Sequence, residues 1–325
     1  MHTGLRFTSV KQVLVKHYYT LVALLLLIIG AQDLVAQNDL LLAQYDRAYS
    51  YYNPAYAGMR KDVFITALHN RQWEGMPGSA KSFVLLADAP IRFMDREHGV
   101  GVRVVTQTVG LFSVNELMGQ YAFKQKLFGG DLSVAIQAGF VNTAFDGTGV
   151  VLETENDPAI PLTKVNGKSF DAAAGVYYQR KNLYVGFSST RLTAPAIPLT
   201  EQYILDLPRH YYLLAGYNIR SDFSLFAWHP SIFAATDGYS SRLDVTMGMS
   251  YDNRFFVSLM YRPTQAVGVH LGMQLGKLYA GYAFEWPTSA LAKASWGSHE
   301  LLVSYSFPLS PAKNRDAKYK SIRFL

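Results

Sequence analysis

Six histidines lie beyond the first 36 residues: His69, His98, His210, His229, His270 and His299. In a chain without cysteine they are the first candidates for metal or proton chemistry. No two of them stand at an i, i+4 helical spacing and no HExxH occurs, so a metal site has no support from spacing. The lack of thiols excludes disulfides, thiol chemistry and a cysteine-type zinc site. There is no G-x-S-x-G elbow and no phosphate-binding loop, and Gly99-Val100-Gly101 reads as strand punctuation. What remains is a set of charged groups spaced along alternating segments: Arg103, Asp171, Asp244, Arg262, Glu285 and Glu300, with His270. Asp244 and His270 fall two strands apart on the same side, the kind of pair that acid–base catalysis uses. Such pairs also arise by chance where many polar side chains share one face. The commoner meaning of these residues is an ion network, because charges held away from water need partners and a closed wall offers them across strands. The sequence therefore points to no catalytic residue, no cofactor and no metal, with an outer-membrane enzyme as a remaining alternative.

The elements that would position these groups are strands. From residue 63 onward the dominant period is two. Leu243–Ser250, Val267–Gln274 and Leu278–Trp286 each alternate a large apolar residue with a small or polar one. A helix would spread that pattern around its whole surface. The smaller-residue face carries Gly, Ala, Ser, Thr and Gln with scattered Asp, His and Arg. It lacks the Lys/Glu texture of a water-exposed sandwich exterior. The segments are around ten residues long, the length of a tilted strand crossing a bilayer. Large apolar residues facing lipid and small polar ones facing a lumen fit both observations, so the expected fold is an all-β, antiparallel, up-and-down transmembrane barrel of about fourteen strands. The strands are expected near 63–71, 81–89, 98–107, 113–125, 131–142, 168–179, 182–189, 209–219, 223–235, 241–251, 254–262, 266–275, 277–286 and 299–308. Links at one end are short and rich in turn residues, with only Arg92–Glu97 longer. The opposite set includes 143–167, 190–208 and 287–298, which are long and hold Pro, Gly and Asn. That asymmetry is the mark of an outer-membrane barrel, with short turns and both termini on the periplasmic side.

Composition agrees. The 22 Tyr, 19 Phe and 25 Gly suit sheets with small interior residues and aromatic belts. Trp73, Tyr177-Tyr178, Tyr211-Tyr212, Trp228, Trp286 and Trp296 are expected in such belts, and Trp73, beside Arg71 and Glu74, could instead bind at the mouth. A net charge of +6, owed partly to the two ends, does not argue for nucleic acid.

Residues 1–36 read as a signal peptide, with Arg6, Lys11 and Lys16 before the apolar run Tyr18–Ile29 and small residues up to Ala36. The alternative is a membrane anchor, although about a dozen apolar residues is short for a span. Residues 37–62 form an N-terminal periplasmic segment or plug. A short helix within it must end at Asn53, because Pro54 disfavours helix there. In Tyr51–Gly58, YYNPAYAG, the three tyrosines are placed to pack against the lower mouth of the barrel or the interface, and Gly58 permits a sharp turn into the wall. The barrel occupies 63–308. Residues 309–325 are a basic tail, either a solvated end or an arm toward a periplasmic partner.

YYNPAYAG at 51–58, Arg71-Gln72-Trp73, Leu207–Tyr212 (LPRHYY) and Gly297–Phe307 (GSHELLVSYSF) come in this order along the mature chain. Val185-Gly186-Phe187 followed by Arg191-Leu192-Thr193 adds to the series. Together they resemble the motifs of the PorP/SprF family, outer-membrane proteins of the type IX secretion system of Bacteroidetes. The resemblance implies a single barrel that serves protein secretion and, in gliding species, delivery of surface adhesins. The partners it implies are outer-membrane lipid, periplasmic or outer-membrane secretion components, and a secreted cargo held by its C-terminal sorting domain. It transfers motif positions rather than a defined site: Asn53, Pro54, Tyr56, Gly58, Arg71, Trp73, Arg209, His210, His299 and Glu300 become partner-binding candidates beside the lumen residues Arg103, Asp171, Asp244, Arg262 and His270. A general porin or solute channel has an equally polar lumen and stands as the alternative.

Overall fold

The computed structural model describes residues 40, 42–149, 161–201, 203–220 and 223–309. The signal segment, the basic tail beyond residue 309 and the middle of the 143–167 link lie outside the described residues. The wall strands are β1 (Val63–Arg71), β2 (Lys81–Phe93), β3 (Arg96–Val109), β4 (Phe112–Leu127), β5 (Gly130–Asp146), β6 (Lys164–Arg180) and β7 (Leu183–Thr190). After a small hairpin of β8 (Ala196–Pro198) and β9 (Ile204–Asp206), the wall continues with β10 (His210–Tyr217), two residues of β11 (Ile219–Arg220), β12 (Phe226–Thr236) and β13 (Ser241–Tyr251). It ends with β14 (Phe255–Arg262), β15 (Ala266–Leu275), β16 (Leu278–Pro287) and β17 (Ser298–Phe307).

Each wall strand pairs antiparallel with its neighbours, β10 skips β11 to pair with β12, and β1 pairs with β17. Setting aside β8, β9 and β11, the result is a closed barrel of 14 strands, as the periodicity predicts. Closure removes the sheet edges that lipid could not satisfy. Alternation then decides which way each side chain faces. On β13, Arg242, Asp244, Thr246 and Ser250 are buried in the lumen while Val245 and Met247 stand exposed on the outer face. Ile136, Leu259 and Leu301, each more than half exposed, mark the same apolar outer band on other strands.

Several boundaries differ from those expected of the sequence. The link at Arg92–Glu97 is not long: β2 and β3 run on until only Met94 and Asp95 separate them, both at positive φ (50° and 57°). Positive φ at both central residues matches the twist of the flanking strands. Conversely, the short-turn link after β10 runs from 218 to 225 around β11, and the long-loop end also holds a two-residue turn, Gly110-Leu111. The aromatic pairs split by parity. Tyr178 and Tyr211 face out, but Tyr177 and Tyr212 turn into the lumen at 2% and 3% exposure, so only half of each pair can serve a belt.

Candidate functional site

The lumen is filled by the chain's own N-terminal segment. From Leu40 to Gly58 nearly every residue is buried, and the segment packs with inward residues of strands all round the wall. Its path runs between the two ends of the barrel. The Leu42 carbonyl accepts from Arg242 Nη2 (3.2 Å), and the backbone N–H groups of Ala43 and Gln44 donate to the Glu300 carboxyl (2.8 Å each). Arg242 and Glu300 both belong to the long-loop ends of their strands. At the other extreme, Gly58 N–H donates to Asp88 Oδ1 (3.0 Å) and its carbonyl accepts from Lys124, toward the short-turn end where β1 begins.

Helix α1, Tyr49–Tyr52, is a single turn ending at extended Asn53. So short a helix leaves its last carbonyls without partners of their own. Three strands supply them. Gln120 Nε2 donates to Ser50 O (3.0 Å), Arg103 Nη1 to Tyr51 O (2.8 Å) and Ser188 Oγ to Tyr52 O (2.8 Å). An arginine at a helix C-terminus also meets the negative end of the peptide dipoles. Asn53, fully buried, caps the next turn through Ala55 N–H (2.9 Å) and donates to the wall carbonyls of Val176 (3.0 Å) and Phe187 (3.3 Å). It comes that close because Gly175 and Gly186 lie beneath it. A Cβ at Gly175 would overlap Asn53 Oδ1. Pro54 opens the 3-10 turn Pro54–Tyr56, and Gly58 holds φ at 62°, where a Cβ would strike the Ala89 carbonyl.

The charged residues do not make one network. Glu116 joins Arg103 and Arg191, at 3.0 Å to each. Asp244, with 0% side-chain exposure, joins Arg242 and Arg262 (Nε to Oδ1, 2.7 Å), and Arg262 reaches Glu285 at 2.9 Å. Asp171 stands apart, accepting from Thr193 Oγ1 (3.0 Å) and Ala172 N–H (2.7 Å). His270 is buried in the lumen, with no hydrogen-bond partner on either ring nitrogen among the described residues, and it does not bond Asp244. The suggested Asp244–His270 pair is thus replaced by an arginine-clamped aspartate. Sequence patterns do not single out Glu116 or Arg242, and Arg191 enters only through the Arg191-Leu192-Thr193 motif, not as a partner of Glu116. Glu116 and Arg242 occupy inward positions of strands that the period does identify, so strand parity is the signal that could find them.

At the long-loop end Arg71, Trp73 and His299 come together. Glu74 bridges Arg71 (3.0 Å) and His299 (3.3 Å), Tyr282 OH meets His299 Nδ1 (2.6 Å), and Trp73 N–H donates to Ser298 Oγ (3.1 Å). Arg209 and His210 sit on the opposite side of the barrel, seven strands round from β1. Arg209 Nε donates to Leu192 O (3.0 Å), while His210 points inward against Tyr212. The segment carrying the β8–β9 hairpin buries Ile197, Leu199 and Leu207 against Met118 and Val141 of the wall.

Below the plug lies a cavity of about 230 Å³ lined by Asp46, Arg47, Tyr49, Tyr56, Tyr177 and Tyr184 among others. The Arg47 guanidinium rests on the rings of Phe256 (4.2 Å) and Tyr279 (4.6 Å), which holds it at the cavity margin. Among the described residues no His/Asp/Glu cluster has metal-binding geometry.

A closed 14-stranded wall with an apolar exterior, a polar interior and a lumen occupied by its own chain defines a plugged transmembrane β-barrel of the outer-membrane class. Residues 34–305 match the family described as type IX secretion system membrane protein PorP/SprF, and the chain belongs to that family. Fold and family together place it in the outer membrane as a type IX secretion barrel. Among solved structures it is similar to the Ralstonia pickettii toluene transporter TbuX, at 9% identity and a TM-score of 0.47, over 80% of this chain and 93% of that one. It is also similar to the Acinetobacter baumannii outer membrane protein Omp33, at 9% identity and a TM-score of 0.45, over 77% and 100%. No curated protein matches the chain.

Proposed function

We propose that this barrel serves type IX secretion by binding rather than by conducting or catalysing: its two ends hold polypeptide partners, and the wall anchors them in the outer membrane. The observation that carries this reading is the plug. The segment Leu40–Gly58 fills the bore and is tied to strands all round the wall, and the β8–β9 hairpin packs on the inward wall residues Met118 and Val141. A general porin needs a continuous aqueous path. The long-loop end, with Arg71, Trp73, Arg209 and His299, is the surface for a secreted cargo or adhesin on the cell exterior. The short-turn end, with the tyrosine-lined cavity, faces periplasmic machinery. In this reading residues 37–62 act as a resident plug after removal of the signal segment, and Asn53, Pro54 and Gly58 hold it in place rather than touch a partner. Asp244, Arg262 and His270 are structural, so their replacement spares secretion wherever the barrel still folds. Affinity capture of the tagged protein from outer membranes, followed by mass spectrometry, tests the proposal. Secretion-system components or one large exported protein are expected, and recovery of neither sinks it.

A further inference from the structure

A row of basic side chains crosses the lipid-facing rim at the long-loop end. Arg71, last in β1, stands opposite Lys81 of β2 and opposite His299 of β17. The alternation of all three strands turns these side chains outward, away from the lumen. Three adjacent strands span about 10 Å, so one phosphate can touch two of the three heads. One step toward the barrel's middle, outward-facing His69 lies between Phe83 and Leu301, and beyond them come Leu85, Ala67 and Val303. The row therefore sits where the apolar band meets the headgroup layer. Glu74 bridges Arg71 and His299 and fixes both at the rim, while Lys81 has no acidic partner among the described residues. Elsewhere round this rim the outward residues Asn115, Tyr211, Thr236, Ser241, Tyr261 and Trp286 are uncharged, and the outward cations are otherwise engaged: Lys168 lies over the Phe140 ring, Lys164 stands opposite Asp146, and Arg209 donates to Leu192 O. The basic row is thus a local feature and not a general girdle.

We propose that Lys81 and Arg71, with His299 held beside them by Glu74 and Tyr282, bind the phosphorylated headgroup of an outer-leaflet glycolipid of the lipid A type, whose acyl chains lie along Phe83, Leu301 and Leu85. Cations at this depth attract anionic headgroups, and the arginine fork suits phosphate oxygens. The inference rests on the long loops facing the cell exterior.

Native mass spectrometry of the mature barrel in detergent tests it, with three probes: phosphorylated lipid A, the same lipid after dephosphorylation, and phosphatidylglycerol. Lipid A is expected to be retained, and the double variant Lys81→Gln/Arg71→Gln to bind it at least about tenfold more weakly, as the loss of two cations near an anionic headgroup requires. Lys81→Gln alone, which removes no hydrogen bond or ion pair among the described residues, is the variant whose folding is unaffected, and it is expected to show a smaller loss. Equal retention by wild type and double variant overturns the site, and so does equal retention of the dephosphorylated lipid. Phosphatidylglycerol binding as tightly as lipid A overturns the assignment to the outer leaflet. Affinity capture with the wild-type protein separates this from the docking reading: intact lipid A adducts without captured partners leave the lipid site standing and sink docking alone.

Discussion

Glu300 is the tie that holds the first part of the plug. Its two carboxyl oxygens accept from Ala43 N–H and Gln44 N–H at 2.8 Å and from Asn70 Nδ2 at 2.9 Å, with the residue 1% exposed. Glu300→Ala leaves both backbone donors without a partner. Each buried donor left unmade costs about 1–3 kcal/mol. Taking about 1.5 kcal/mol for each of the two backbone donors gives a total of about 3 kcal/mol. At about 1.4 kcal/mol per factor of ten, local opening of the segment rises roughly a hundredfold. Glu300→Gln keeps one acceptor oxygen but turns an amide N–H₂ toward a donor, so it should fall between. Hydrogen–deuterium exchange of the reconstituted protein, read on a peptide covering 42–48, measures this directly. Faster exchange there, with β4 and β5 unchanged, is the expected result. Unchanged protection in Glu300→Ala, or a rise spread evenly round the wall, refutes the reasoning.

Removing Asp244 strands Arg242, which is fully buried, and leaves Arg262 only Glu285. Asp244→Ala should cost about 3–5 kcal/mol in a urea refolding titration, and adding Arg242→Leu should recover part of it, because the uncompensated buried charge is then gone. Gly175→Val pushes a side chain into Asn53 and should break its bonds to Val176 and Phe187, so exchange at 50–58 should rise while the heat-modifiable gel shift of the folded barrel persists. Deleting residues 40–57 should convert a closed barrel into a steady conductor in a planar bilayer, and an equally silent deletion variant would show that the plug is not what closes the bore.

The wall is legible in the sequence because a two-residue period is forced on any strand that faces lipid on one side and a lumen on the other. The alternation in Leu243–Ser250 by itself gives the direction of every side chain on most of β13. Boundaries are less legible, since the strand propensities of Phe93 or Phe145 do not change where the bilayer ends. Individual partners are not legible at all. Glu116 and Arg242 stand on the correct parity, yet which arginine meets which acid depends on register accumulated over several strands, and no local spacing encodes it.

A plug is expected from residues 37–62, but at the lower mouth or the interface; its depth in the lumen is not legible, and the reason lies in how it is held. Residues 40–58 have no amphipathic period because the segment is surrounded on all sides, so no face is distinguished. What it needs is volume that a polar wall will tolerate. Tyrosine meets that demand, with a large ring for filling and a hydroxyl for the wall. Tyr45 OH bonds Ser231 and Thr246 (2.9 Å each), Tyr49 OH meets Tyr184 OH (2.7 Å), and Tyr52 OH accepts from Leu42 N–H (2.8 Å). The wall shows the complementary signature, with small residues where the plug comes closest, as at Gly175 and Gly186 under Asn53 and Gly99 under the Ala57 carbonyl. The tyrosines of YYNPAYAG and glycines far along the chain on the wall are therefore two halves of one packing solution. The high aromatic content thus serves the inside of this barrel as well as its interfacial belts.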